Sequence, residues 1–263
     1  MALKQHLDYK VRFDQQVENS ASYVLPFIEE TKQVGSGMQI LEIGTGEGGV
    51  LLPFMERGCH CVGVDLAPER IDIANELLEK QVKEGKAEFL CINIFDEPFL
   101  KRFKGIFDVI ILKDVIEHVH QQEEFIPYLK KLLKPGGQVF FGFPPWYMPF
   151  GGHQQTAHKK WVSVLPYYHI LPNFLYKGIL KLAGEHPAII ADLMEVKETR
   201  ITIERFERIV KESGYKILKK QHYLINPIYK YKFGLKPRVQ WTPITYIPFL
   251  RNFVTTCVYY TIG

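Results

Sequence analysis

The 263-residue chain is 46% hydrophobic and 24% charged, ordinary globular proportions with enough apolar side chains for one sizeable core. Its formal net charge of +4 arises from 33 basic and 29 acidic residues in near balance, so composition carries no footprint of a nucleic-acid binder. The polar N-terminal stretch 1–19 lacks the apolar core of an export signal, and Arg, Lys or Pro interrupts every apolar run short of the roughly 18–20 residues needed to cross a bilayer. Cys59, Cys61, Cys91 and Cys257 form no CxxC pair and read as thiols of a reducing, cytoplasmic compartment.

In chain order, Val24, Leu25, Phe27 and Ile28 predict an amphipathic helix over 20–30, ended at Gly35-Ser36-Gly37. From Met38 the pattern alternates: an apolar strand 39–43, a glycine cluster, a helix over 50–56, and a strand 59–64 running into Asp65. Pro68 opens a helix carrying Ile71, Ala74, Leu77, Leu78 and Val82 at helical spacing, and strand three follows at 87–92. Residues 107–112 read as a buried central strand, 125–133 as a helix, Lys134-Pro135-Gly136-Gly137 as a turn, and 139–143 as strand five. The rhythm then breaks: 146–200 is rich in aromatics, prolines and histidines and reads as an inserted helical cap. Thr202 caps a helix over 202–213, and strands near 215–225 and 254–262 complete the chain. The division is an N-terminal helical segment (1–37), an α/β core (38–145), the cap (146–200) and closing elements (201–263). Strands alternating with helices require a doubly wound, mostly parallel sheet, expected to have seven strands.

Glu42-Ile43-Gly44-Thr45-Gly46-Glu47-Gly48-Gly49 lies between a predicted strand and helix, where glycines permit a tight turn and close approach of backbone to a ligand. Gly44, Gly46 and Gly49 also satisfy GxGxxG, with Asp65 21 residues after Gly44, so on spacing alone NAD fits as well. Charge separates the two readings. Carboxylates at Glu42 and Glu47 oppose a pyrophosphate at the helix N-terminus but attract the ammonium and sulfonium of S-adenosylmethionine.

From about residue 39 to 143 the chain resembles the class I S-adenosylmethionine-dependent methyltransferases, in particular the ubiquinone/menaquinone-biosynthesis-like group. The resemblance rests on Glu42-x-Gly44-x-Gly46-x-Gly48, on Asp65 after strand two, and on Phe107-Asp108-Val109-Ile110-Ile111-Leu112-Lys113-Asp114-Val115-Ile116-Glu117-His118-Val119. It implies a Rossmann-like sheet and S-adenosylmethionine as cofactor. Glu42, Gly44, Thr45, Gly46 and Gly48 would form the cofactor loop, with Asp65 and Leu66 at the ribose. Where the family carries an aspartate for the adenine amino group, this chain has Asn93, beside Ile94, whose amide oxygen can accept the same hydrogen bond. Asp96 is the alternative if the register differs, and Leu112 and Lys113 are expected to line the methionine end.

Ligands of open α/β sheets sit beyond the carboxyl ends of the strands, which gathers Asp114, Glu117, His118, Pro145, Trp146 and His153 as candidates for handling the acceptor. His118 is the general-base candidate because imidazole titrates near neutrality, and His153 is the second. The alternative for His118 is packing and cofactor-side geometry, and for His153 an ordinary loop histidine. Histidine spacing beyond His118-Val119-His120 matches no metal-ligand pattern, so no metal is expected. Phe143-Pro144-Pro145-Trp146 departs from the proline-proline-aromatic motif of amino-group methyltransferases, which begins with Asp or Asn, and Trp146 is expected to wall the pocket. Cap residues such as Leu175, Ile179 and Leu182 are expected to pack, and Tyr229-Lys230-Tyr231-Lys232-Phe233 to form a solvated strand–loop edge, with RNA or a membrane surface as its functional alternatives. The expected reaction is methyl transfer to an O, N or C atom of a small or lipid-like acceptor. An NAD-dependent oxidoreductase and a non-catalytic cofactor-binding regulator are the alternatives. Peripheral membrane contact and oligomeric state stay open.

Overall fold

The computed structural model describes residues 8–263. Its strands are β1 (Gln39–Ile43), β2 (His60–Asp65), β3 (Ala87–Cys91), β4 (Phe107–Lys113), β5 (Leu133–Phe143), β6 (Ile217–Ile225), β7 (Arg238–Val239) and β8 (Cys257–Ile262), in one sheet of order β3-β2-β1-β4-β5-β8-β6-β7. The first five run parallel, and β8 is antiparallel to both β5 and β6. The sheet therefore has eight strands where seven were expected. The addition is the two-residue β7 on the edge of β6, too short to leave a periodic signal in the sequence.

The apolar runs form these strands because both faces of the sheet are covered, and alternate side chains enter opposite cores. Ile110 and Leu112 of β4 join one core with Phe141, Phe143 and Tyr260, while Val109 and Ile111 join the other with Phe140 and Tyr259. A one-residue slip of β4 would exchange the two sets, so the pattern fixes its register.

Three boundaries differ from the sequence reading. The N-terminal helix begins at Tyr9, capped by the Asp8 carboxylate, which accepts from the backbone N–H of Lys10 and Val11. It continues through a π turn (Ser20–Val24) into Leu25–Glu29. β5 absorbs the Lys134–Gly137 turn through a register shift against β4 between Phe107 and Val109. Residues Tyr229–Phe233 are helical, and this short helix lies on the N-terminal one, with the Tyr231 hydroxyl donating to Glu18 O and Gln15 Nε2 donating to Tyr231 O.

The segment after β5 is helical, with Asn173–Leu182 and Pro187–Thr199 as its main helices. It holds a small core of its own from Val162, Tyr168, Tyr176, Leu180, Ile190 and Leu193. It sits at the carboxyl ends of the strands: Trp146 N donates to Ile201 O at 2.8 Å, and the Thr199 hydroxyl donates to Glu117 O.

Candidate active site

Strand order reverses on either side of β1, whose neighbours β2 and β4 lead in opposite directions, and this opens a crevice above the carboxyl ends of β1 and β4. The register pairs Ile43 with both Val64 and Leu112, so Gly44, Asp65 and Lys113 emerge side by side at the crevice floor. Gly44, with φ +70°, makes the turn: a Cβ there would lie 2.5 Å from a Val115 methyl, closing the approach that a ligand needs.

Two cavities meet here. The larger, about 630 Å³, is lined at one end by Asp65, Leu66, Asn93, Ile94 and Phe95 and reaches Val115 and His118. The smaller, about 180 Å³, is lined by Glu42, Thr45, Gly46 and Lys113 with Arg12, Gln15 and Gln16 of the N-terminal helix and Lys232 of the Tyr229–Phe233 helix. Gly44, Arg70 and Asp114 belong to both.

Asp65 holds the loop in shape. One carboxylate oxygen accepts from Gly46 N at 2.9 Å and the other from Ala67 N at 3.0 Å, leaving lone pairs for vicinal hydroxyls. Asn93 lines the larger cavity and Asp96 does not. The Asn93 amide oxygen already accepts from Phe95 N at 3.0 Å, so an adenine amino group would share it.

The electrostatics depart from the simple picture of two free carboxylates. Glu47 is buried against Arg12 in an ion pair, and Gln16 Nε2 donates to its other oxygen at 3.2 Å. Its charge is satisfied within the protein. Glu42 lines the smaller cavity, yet burial pushes its carboxyl up to about 8, against the lowering effects of the Thr45 hydroxyl, which donates at 2.8 Å, and of Lys113. Glu42 is therefore mostly protonated at neutral pH. Two other expected contacts line neither cavity: Leu112 is fully buried in the sheet core, and Gly48, at φ +80°, packs so that a Cβ would lie 2.9 Å from the Phe89 ring.

At the cap side, Glu117, His118 and His153 come together, with donor atoms within 4.8 Å of one another. His153 Nε2 lies 3.6 Å from Glu117 Oε1, and the His118 and His153 rings meet edge to face at 4.9 Å. Asp114, which lines both cavities, and His153, which packs on His118, both adopt left-handed backbone, φ +56° and +55°, a strained choice for non-glycine residues. Burial, aided by His118, pulls the His153 imidazole down to about 3, and burial lowers His118 despite Glu195 and Asp114, so both rings are neutral near pH 7 and His153 as it stands is a weak base. Glu117 is buried with neither carboxylate oxygen hydrogen-bonded, and burial, reinforced by Asp114, holds its carboxyl well above the usual range. Two imidazoles and a carboxylate also form a donor set that a divalent cation accepts. Linear spacing cannot show this group, because His153 arrives from beyond β5.

Trp146, expected to wall the pocket, lies inside the cap against His169 at 4.7 Å and beneath Lys197.

A protein-family profile described as a methyltransferase domain matches residues 14–177, more than half of the chain. The chain belongs to the class I S-adenosylmethionine-dependent methyltransferases. Among curated relatives, the ubiquinone biosynthesis O-methyltransferase of Idiomarina loihiensis is 32% identical over 44% of this chain and 46% of its own, and the mitochondrial one of Rattus norvegicus is 33% identical over 40% and 30%. The matches thus span less than half of these relatives' length. Similar solved structures include geranyl diphosphate C-methyltransferase from Streptomyces coelicolor, determined with Mg2+, geranyl diphosphate and S-adenosyl-L-homocysteine (TM-score 0.58, 13% identity, 94% of this chain and 80% of that one). A SAM-dependent methyltransferase from Aquifex aeolicus is another (TM-score 0.53, 12% identity, 97% of each chain). At such identities the likeness is one of fold.

For this methyltransferase the sequence reading missed the residues that close the site from outside the sheet: Arg12, Gln15 and Gln16, Arg70, Ile228 and Lys232. The alternation Tyr-Lys-Tyr-Lys-Phe concealed a helix whose fourth residue, Lys232, faces the cavity.

Proposed function

We propose that this chain transfers the methyl group of S-adenosylmethionine to a hydroxyl or similar nucleophile of a small, ring-bearing or lipid-like acceptor. The observation that carries the reading is the pair of cavities meeting at Gly44 and Asp114, the larger of them lined by His118, against which His153 packs. Asp65, Asn93 and the apolar Leu66 and Phe95 form an end suited to adenosine. The Glu42 cavity suits the amino-acid end, its carboxyl ionising against the ammonium while Lys113, Arg70 or Lys232 meets the carboxylate. That arrangement leaves the sulfonium near Asp114, facing Glu117, His118 and His153.

Methyl transfer is an in-line displacement in which alignment of nucleophile, methyl carbon and sulfur supplies much of the rate. His118, which lines the larger cavity, removes the acceptor proton as the bond to carbon forms, and His153 packed edge-on against it holds the ring in place. The names of the curated relatives favour a phenolic hydroxyl on an isoprenoid-bearing ring as acceptor, a candidate that the cap would select. Calorimetry with S-adenosylhomocysteine and with NAD tests the cofactor half: binding of the first and none of the second is expected, and comparable affinity for NAD would overturn it. Incubation with labelled S-adenosylmethionine and a panel of hydroxylated aromatic and lipid acceptors tests the other half. Binding without transfer to any acceptor would mark a cofactor-binding regulator instead.

A further inference from the structure

Acidic residues are distributed very unevenly along the chain. Between Glu124 and Glu185, and again after Glu212 to the end, there is no Asp or Glu. The first part of the cap, 146–184, and the final segment, 213–263, therefore carry cations and no acid, with exposed Lys159, Lys160, Lys177 and Lys181 in one and Lys230, Lys236 and Arg238 in the other, while the second cap helix carries Asp192, Glu195 and Glu198. None of these seven cations has a carboxylate partner among the described residues.

The same two segments hold most of the strongly exposed large apolar side chains. Phe174 is 74% exposed and Leu182 88%, one face of a helix with Gly178 midway between them and open space where its Cβ would be. The opposite face, Tyr176 and Leu180, is buried in the cap core. From the C-terminal segment, Trp241 is 69% exposed, Tyr246 75% and Phe249 66%. Trp161 adds to the cap's share. The two segments are joined: the Tyr167 hydroxyl donates to Phe253 O at 3.1 Å, and Tyr147 stacks on the Phe253 ring at 5.1 Å.

We propose that the cap and the 241–250 segment form a docking surface for an anionic lipid bilayer. Exposed aromatics and leucines flanked by unpaired lysines, on stretches of chain that carry no acid, are what an interfacial surface requires: apolar groups enter the headgroup boundary, aromatic rings settle at its level, and lysines reach the phosphates, with the acids of the cap confined to Glu185 and the helix after it. Single-stranded RNA needs aromatic platforms lining a groove, whereas Leu182 and Leu250 offer no face on which a base can stack. Each lysine near an anionic surface contributes on the order of a several-fold gain in partitioning, and each buried aromatic or leucine adds to it. The inference stands on surface charge and exposure, and it does not require the acceptor to be a lipid.

The test uses the whole chain with phosphatidylcholine vesicles, with and without phosphatidylglycerol, in co-sedimentation and tryptophan-emission measurements. Binding is expected only with phosphatidylglycerol, with a blue shift of the emission and weakening by added salt. Trp241→Ser with Phe249→Ser, and separately Phe174→Ser with Leu182→Ser, are each expected to lower partitioning by about tenfold or more. Lys159→Glu with Lys160→Glu is expected to act in the same direction. All of these positions are solvent-exposed, so the variants keep the wild-type circular dichroism and affinity for S-adenosylhomocysteine. Absence of vesicle binding, or binding that survives every variant, would overturn the proposal. So would a dimer in size-exclusion chromatography that these variants dissociate, because the apolar face would then be covered by a second copy.

Discussion

Replacing Glu42 by Gln removes one buried ionisable group while leaving an oxygen to accept the Thr45 hydroxyl. With the carboxyl at about 8, the fraction ionised at pH 6.5 is about 3%, so binding the cofactor's ammonium there costs about 2 kcal/mol relative to the fully ionised site, a factor of about 30. Affinity of the wild type is therefore expected to rise nearly tenfold per pH unit from 6 towards 8. It then levels or falls as the cofactor's own amino group, with a pKa of about 8, loses its proton. Calorimetry at pH 6.5 in buffers of different ionisation enthalpy should show close to one proton released per cofactor bound. Glu42→Gln is expected to abolish the rise and the proton release and to bind more weakly at pH 8. The stability of the empty protein moves the other way. A carboxyl whose folded pKa is raised destabilises the fold progressively from pH 4.5 up to about 8, so the Gln variant should be more stable than wild type at pH 8 by a few kcal/mol in urea unfolding. Wild-type affinity that is flat between pH 6 and 8, or a Gln variant less stable at pH 8, would refute the assignment of a protonated Glu42.

Asp65→Ala removes the acceptor of two backbone N–H groups and of the ribose hydroxyls, and it should weaken S-adenosylhomocysteine binding by roughly 1.5–3 kcal/mol in calorimetry while the domain stays folded. Unchanged affinity would displace the ribose from this position. His153→Ala should lower kcat at least tenfold with cofactor affinity nearly unchanged, once an acceptor is in hand; an equal loss in both would make the residue structural. Dialysis against EDTA is expected to leave turnover intact, and a loss restored by Mg2+ or Zn2+ would instead place a cation on Glu117, His118 and His153. Gly48→Ala combines a left-handed backbone with a Cβ 2.9 Å from Phe89, so urea unfolding should show a loss of about 1–3 kcal/mol.

What was legible in the sequence follows from what is local. β4 reads as a continuous apolar run because both of its faces are buried, and Thr202 announces its helix because a cap is one hydroxyl on one nearby N–H, here Arg205 N at 3.1 Å. The glycine loop and Asp65 are legible for the same reason: a turn that needs positive φ must spell itself in glycine, and the acid lies at a fixed distance along a βαβ unit. The rest of the site is assembled across long separations. Glu47 reads as a free carboxylate until Arg12, 35 residues away, is seen beside it. Glu42 reads as an anion until its burial between strands is seen to hold its proton. Lys232 reaches the crevice, and His153 reaches Glu117 and His118, from segments with no periodic signature. The exposed face of the cap failed for another reason: Phe174, Leu175 and Leu182 have the spacing of a packed helix, and an apolar face buried in protein is written in the same residues as one meant for another phase. What separates the two is exposure together with the run of unpaired cations along two long stretches, 125–184 and 213–263, that carry no acid, a property of segments and not of any motif.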